Sequence, residues 1–396
     1  MTRIIFHVDV NNAFLSWTAV YLLNNGYDKD IRTIASVIGG DEEKRHGIVL
    51  AKSPIAKKYG IKTAETLYLA RRKCPSLEVY QPNYEYYMEM SKKFYNYLKQ
   101  YTPVIEKASV DECFLDFTGT KYLYDDILEL AYKIKNEIKE KFGFTVNVGI
   151  GNNKLCAKMA SDFLKPDKVH TLFDYEIKEK MWPLPINNLL FVGKSTVSIL
   201  EKLNIKTIGD LANCNPKVLE KHFKNRVDDL IKSANGVDES KVITDYGFNK
   251  CISISRTLEK DTSDVKLLKK VLLDMADQVG LRARENNLFS DIIAITYKTS
   301  TFKSYSHQMK LNKAINNTME IYQNVLKLLQ ESIINEKIRS IGIRLSNLKI
   351  KDMEQMALFN KNTGSDDIQH LIDSINLKYH NTLVMPAIFY ENDNNK

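Results

Sequence analysis

The sequence predicts an α+β fold divided among several domains, and three observations predict it. Apolar strand-like runs near residues 4–10, 108–117 and 145–150 are separated by amphipathic helical stretches, so a sheet must be assembled from distant segments with helices packed against it. A chain of 396 residues exceeds what one ordinary core supports, and two to four domains are expected. The texture also changes near residues 31, 176 and 241, where an inserted subdomain, a run of short helices and a basic final domain begin.

In order, the first strand is Ile4-Ile5-Phe6-His7-Val8-Asp9-Val10, followed by a helix over 11–23 capped by Asn and ended by Gly26. Residues 31–82 read as an insert: a strand over 34–38, a Gly39-Gly40 turn, a basic helix and a second short helix. The basic helix opens at Ser53-Pro54, a good start signal, and carries Lys57, Lys58 and Lys62. Such lysines serve either as a solvated face or as phosphate ligands added to the free N–H groups of a helix start. A Tyr- and Lys-rich helix over 84–100 leads to the hairpin Ala108-Ser109-Val110-Asp111-Glu112-Cys113-Phe114-Leu115-Asp116-Phe117. A long amphipathic helix (124–142), a buried strand (145–150) and a lysine-studded helix (151–162) with its Lys165-Pro166 exit follow. This succession describes an antiparallel sheet carrying helices on one face.

Beyond it, 186–237 forms short helices joined by turns at Leu190-Phe191-Val192-Gly193-Lys194 and 203–211. These are either plain helical hairpins or turns that offer backbone N–H groups to a nucleic-acid phosphate. After a polar connector at 240–249 come helices over 265–285 and 316–331 and strands over 290–297 and 339–345. Between 245 and 350, 17 Lys+Arg stand against 11 Asp+Glu, whereas 351–396 has 4 against 7, so positive charge concentrates in the last folded domain.

The chemistry centres on the hairpin. Adjacent Asp111 and Glu112 inside an alternating apolar run are either two solvated turn acids or a pair whose repulsion a cation offsets. Asp9, ending a second apolar strand, favours the cation. Three carboxylates from two strand ends suit hard, oxygen-preferring Mg2+, and two such ions about 4 Å apart clamp the attacking and leaving oxygens of phosphoryl transfer. The whole-chain balance of 57 Lys+Arg to 49 Asp+Glu, net +8, is compatible with a polyanionic partner. Five scattered cysteines without a CxxC pair point to a reducing compartment and against structural zinc. No secretory leader or membrane-length apolar run is visible, so a cytoplasmic protein with no membrane partner is expected.

Asp9-Val10, Ser109-Val110-Asp111-Glu112, the Gly-Ile-Gly-Asn-Asn-Lys-Leu-Cys-Ala-Lys run at 149–158, Lys165-Pro166 and the 203–211 turn stand in the same order as in the Y-family DNA polymerases. The chain resembles these DinB (DNA polymerase IV) and UmuC-like translesion enzymes over about residues 1–350. The resemblance implies a right-hand fold: palm over 1–30 and 83–175, fingers over 31–82, thumb with helix-hairpin-helix-like turns over 176–240, and little finger over 241–350. It implies metal binding by Asp9, Asp111, Glu112 and the Val10 carbonyl, with Asp9, Asp111 and Glu112 catalytic and two Mg2+ ions as cofactor. Primer–template DNA and dNTP are the implied partners, and the enzyme is expected to be a monomer of low fidelity without proofreading.

The resemblance also makes Phe14 a steric gate against ribonucleotides, although a core aromatic fits the same local pattern. Lys165 matches a triphosphate-contacting lysine, and Lys57 stands where the family has a fingers arginine. Two departures are visible: Pro54 replaces a tyrosine that reaches the phosphates in many members, leaving Ser53 or Lys52 to substitute, and Asn11 stands where DinB members often carry Asp. In the 351–396 tail, Gln355-Met356-Ala357-Leu358-Phe359 resembles a bacterial sliding-clamp peptide, with Gln355, Leu358 and Phe359 as contacts. The alternatives are an inactive DNA-binding accessory protein on the same scaffold and a palm-based phosphotransferase such as a nucleotide cyclase.

Overall fold

The computed structural model describes residues 3–41, 47–244, 250–331 and 336–350, with a few positions between 369 and 384. The chain falls into two compact units, Met1–Asp245 and Tyr246–Lys396. The clamp-like motif at Gln355, Leu358 and Phe359 lies outside the described residues.

The first unit runs β1 (Ile5–Val10), α1 (Ala13–Asn24), β2 (Ser36–Gly39), β3 (Val49–Lys52), α2 (Pro54–Lys58), α3 (Leu67–Lys73), β4 (Glu78–Tyr80) and α4 (Tyr84–Leu98). It continues with β5 (Ile105–Lys107), β6 (Glu112–Asp116), α5 (Ile127–Phe142), β7 (Val146–Gly151), α6 (Lys154–Asp162), β8 (Val169–Leu172), α7 (Lys194–Lys202), α8 (Ile208–Ala212), α9 (Pro216–Phe223) and α10 (Val227–Ala234). Its main sheet has the order β5-β6-β1-β7-β8. All its pairings are antiparallel except β7 with β8, which α6 connects as a parallel crossover.

The strand period of two sorts β1 into faces. Phe6, Val8 and Val10 join a core with Trp17, Phe94, Ile134 and Val148, drawn from α1, α4, α5 and β7. The opposite face, with Ile5, His7 and Asp9, meets α6, where Ala157 packs beside Ile5 and Ser161 bonds to His7. The sheet therefore carries helices on both faces, not one. Gly149 makes the second layer fit, because a Cβ there would stand 2.0 Å from the Ala157 carbonyl oxygen of α6.

Local starts differ from expectation in two places. Asn12 does not cap α1: it sits in the left-handed region at φ 52°, and its Nδ2 donates to the Lys52 carbonyl instead. The long helix starts at Ile127, because the Asp126 carboxylate accepts from the Leu128 and Glu129 amides. The insert forms its own small sheet, β3-β2-β4, over a core including Val37, Ala56, Leu67 and Leu77. The short helices α7–α10 share a separate core with Leu200, Leu211, Leu219 and Leu230.

The second unit contains β9 (Cys251–Thr262), α11 (Val265–Glu285), β10 (Leu288–Thr299), β11 (Ser304–Ile315), α12 (Thr318–Glu331) and β12 (Ile338–Ile350). Its antiparallel sheet, β11-β10-β12-β9, packs Ile293, Ile295, Ile343 and Leu345 against Leu272, Met275, Ile321 and Val325 of the two helices. β11 is an exposed edge strand that hydropathy alone did not reveal. Arg284 is buried in this unit, donates to the Asn316 carbonyl and pairs with both carboxylate oxygens of Asp373 at 2.5 and 3.0 Å.

Candidate active site

The β1–β6 register sets Asp9 opposite Glu112, and the Val10 amide donates to the Asp111 carbonyl at 3.0 Å. Strand pairing thus gathers the three acidic positions at one sheet end. Cross-strand pairing leaves the Asp9 and Glu112 carboxyls close enough to influence each other electrostatically. The Asp111 carboxylate is engaged locally, accepting from Ser109 Oγ at 2.6 Å. Among the described residues, no three acidic, histidine or cysteine side chains stand as a ready-made metal cage. Lysines balance the acids instead: Lys165 Nζ lies 3.0 Å from Asp9 Oδ1 and 2.8 Å from Asp162, and Lys158 Nζ lies 2.7 Å from Glu112 Oε1.

Burial governs the electrostatics. Asp9 is only 8% exposed, and desolvation pushes its carboxyl up to about 7 despite Lys165. Glu112 is held well below the ordinary carboxylate range by His7 and then by Lys158, which outweigh its partial burial. Burial lowers His7, whose Nδ1 bonds to Ser161 Oγ at 2.8 Å and whose Nε2 stands 3.8 Å from Glu112 Oε2. Burial alone would lower Lys165, but Asp9 and Asp162 raise it. A buried carboxyl raised by desolvation beside one held low, each paired with a lysine ammonium, offers hard oxygens of the kind a divalent cation takes.

The remaining candidates are spread around this centre. Phe14, in the first turn of α1, is half-buried and stacks on Tyr87 at 4.7 Å with an interplanar angle of 10°, while Tyr84 meets it edge-on. Lys57 is exposed on α2. Ser53 is fully buried, and its Oγ accepts from the Ala56 and Ser36 amides, so this hydroxyl is spent as the cap of α2 and does not face solvent. Lys52 bonds to Thr63 Oγ1 at 3.2 Å. In the short-helix region, Gly193 precedes α7 and Phe191 is 80% exposed at φ 66°.

Sequence reasoning left His7 outside the candidate set and read Lys158, with Lys154 and Lys165, as a triphosphate or backbone contact without pairing it with Glu112. The signal existed: His7 stands two residues before Asp9 and so shares its strand face, and Lys158 lies one helical turn after Lys154.

Comparison with known proteins places this geometry. Residues 8–162 match the impB/mucB/samB family, and residues 249–358 match the impB/mucB/samB family C-terminal domain. The chain is 45% identical to DNA polymerase IV of Clostridium acetobutylicum, covering 99% of this chain and 100% of that protein. It is 35% identical to DNA polymerase IV of Alkaliphilus oremlandii, over 96% and 97% of the two chains, and 30% identical to DNA polymerase IV 2 of Bacillus subtilis, over 97% and 94%. A solved Y-family DNA polymerase chimera of Dbh and Dpo4 superposes with a TM-score of 0.77 at 25% identity, covering 88% of this chain and 100% of that one. The chain therefore belongs to the impB/mucB/samB family as a DinB-like member of the Y-family DNA polymerases.

Proposed function

We propose that the protein is a translesion DNA polymerase that extends a primer 3′-hydroxyl on a DNA template by nucleotidyl transfer from dNTP, using two Mg2+ ions, with low fidelity and no proofreading. Asp9, Asp111, Glu112 and the Val10 carbonyl would hold the ions. When bound, the metal activates the primer hydroxyl and offsets charge on the phosphates. Lys165 leaves Asp9 to meet the triphosphate, and Lys57 approaches it from the fingers helix, both favouring the charge that builds on the departing pyrophosphate. Phe14 packs beneath the incoming sugar and leaves no volume for a 2′-hydroxyl. Of the two groups considered in place of the family tyrosine at Pro54, Lys52, whose ammonium among the described residues bonds only to Thr63 Oγ1, takes that role, since Ser53 is spent as a cap.

The observation that carries this reading is the strand pairing of Asp9 with Glu112 beside Lys165 and Lys158, two acids and two bases at one sheet end. The enzyme acts as a monomer and gains processivity from the sliding clamp through Gln355, Leu358 and Phe359. Single-turnover extension of a defined primer–template with each dNTP, with and without Mg2+, tests the reading. Asp111→Ala should slow extension by roughly 10³-fold, the scale of several kcal/mol of lost charge stabilisation, with DNA affinity retained. Near-wild-type extension by that variant, or extension without a template, refutes it.

A further inference from the structure

Asn147 is fully buried on β7, and its side chain uses both N–H donors and both acceptor sites. Nδ2 donates to the Ser161 carbonyl at 2.9 Å and the Leu164 carbonyl at 2.7 Å. Oδ1 accepts from the Lys168 amide at 3.3 Å and from Asn11 Nδ2 at 3.1 Å. Asn11, 7% exposed and two residues beyond Asp9 on the same chain segment, accepts on Oδ1 from the Asp167 amide at 2.9 Å. The orientation of both amides is forced, because backbone N–H groups can only donate and backbone carbonyls can only accept.

Together the pair ties the chain at 161, 164, 167 and 168, on both sides of Lys165, without touching Lys165 itself. Asp167 needs such support: it holds a left-handed φ of 60°, and its carboxylate is fixed by Lys135 at 2.7 Å and Lys139 at 3.0 Å. The segment that presents Lys165 is thereby locked to the strand that presents Asp9. The Asn11 side chain is committed to this network, whose other amide, Asn147, is the cross-strand partner of Asp9.

We infer that Asn11 and Asn147 form an amide brace that positions Lys165 for the incoming triphosphate; they are positioning residues, and the inference rests on the proposed triphosphate role of Lys165. With the backbone on both sides of Lys165 already held, dNTP binding has only the side chain to redirect and not the loop to order, so loosening the brace weakens nucleotide binding more than it slows the chemical step.

Two substitutions that keep the branched heavy-atom framework of Asn11 separate the brace from charge. Asn11→Asp sets a carboxylate oxygen against Asn147 Oδ1, whose own NH2 is committed elsewhere, and Asn11→Leu removes both bonds without adding charge. Pre-steady-state incorporation on primer–template DNA should show the dNTP dissociation constant raised about tenfold in both variants, with the maximal rate at saturating dNTP within about threefold of wild type. In a Lys165→Ala background the same changes should add less than about twofold, because the positioned group is gone. Unchanged dNTP affinity in both folded variants, or an undiminished effect in the Lys165→Ala background, overturns the brace alone. Unchanged affinity in Lys165→Ala itself overturns the reading of that lysine and the brace with it.

Discussion

Replacing Asp9 by Asn should stabilise the metal-free protein and abolish its catalysis, and the stabilisation should depend on pH in a defined direction. Burial raises Asp9 to about 7, against about 3.9 in an unfolded chain. Between these values the folded state keeps a proton that the unfolded state has released, so this group's contribution to stability falls as pH rises and levels off above about 7. A gap of about 3 units sets a ceiling of about 4 kcal/mol, most of it developing between pH 5 and 8. Glu112, held low by His7 and Lys158, has the opposite sign, but its contribution is complete above the unfolded value of about 4.3 and is lost only in stronger acid. His7, lowered by burial, titrates in the same window with the opposite sign, so the reading is taken on the difference between Asp9→Asn and wild type, both of which carry His7. Urea denaturation in EDTA should show the stability of Asp9→Asn relative to wild type growing by about 2–3 kcal/mol from pH 5 to pH 8. Adding Mg2+ at pH 8 should stabilise wild type but not the variant. A difference that is flat or shrinks with pH would show that burial does not strain this carboxyl and would refute the electrostatic argument for a cation there.

Phe14→Ala should raise ribonucleotide incorporation relative to deoxyribonucleotide by about tenfold or more, the scale of one lost steric exclusion; parallel loss of both would make the Phe14–Tyr87 stack purely structural. Deleting 355–359 should remove clamp-stimulated synthesis while clamp-independent turnover stays constant, and equal loss of both would locate the defect in folding. Asp373→Ala should destabilise the protein by about 3 kcal/mol in chemical denaturation, because a 3%-exposed Arg284 guanidinium loses its carboxylate partner; a change below about 0.5 kcal/mol would mean that its bonds to Asn316 and Thr318 suffice.

Much of the scaffold was legible because local patterns and tertiary needs coincide. Helix α11 occupies the predicted 265–285, since its apolar period is long and faces one core. The acids at 9, 111 and 112 could be joined from strand-end positions alone. Strand β11 was not legible: Ser304, Ser306 and Gln308 sit on an exposed edge where no burial pattern is imposed. Helix α6 on the second face of the sheet was equally hidden, because its seat is the missing side chain of Gly149, which a single sequence shows only as a glycine in a strand. Ser53 was read as the start signal of α2 and also, with Lys52, as a substitute for the family tyrosine; capping the five-residue helix consumes its oxygen and leaves only the first role. Asn147 looked like one polar residue in an apolar strand; its worth lies in four partners, three of them 14 to 21 residues further along the chain and the fourth 136 residues before it.

Asp9, Asp111 and Glu112 are proposed to hold the divalent ions of nucleotidyl transfer. A crystal of the protein with primer–template, a non-hydrolysable dNTP analogue and Mn2+ tests it directly through anomalous scattering. Two manganese peaks roughly 4 Å apart are expected, with all three carboxylates and the Val10 carbonyl in their coordination shells and Lys165 moved from Asp9 onto the triphosphate. Manganese bound away from Asp9, or a triphosphate held with Lys165 still on Asp9, would contradict it.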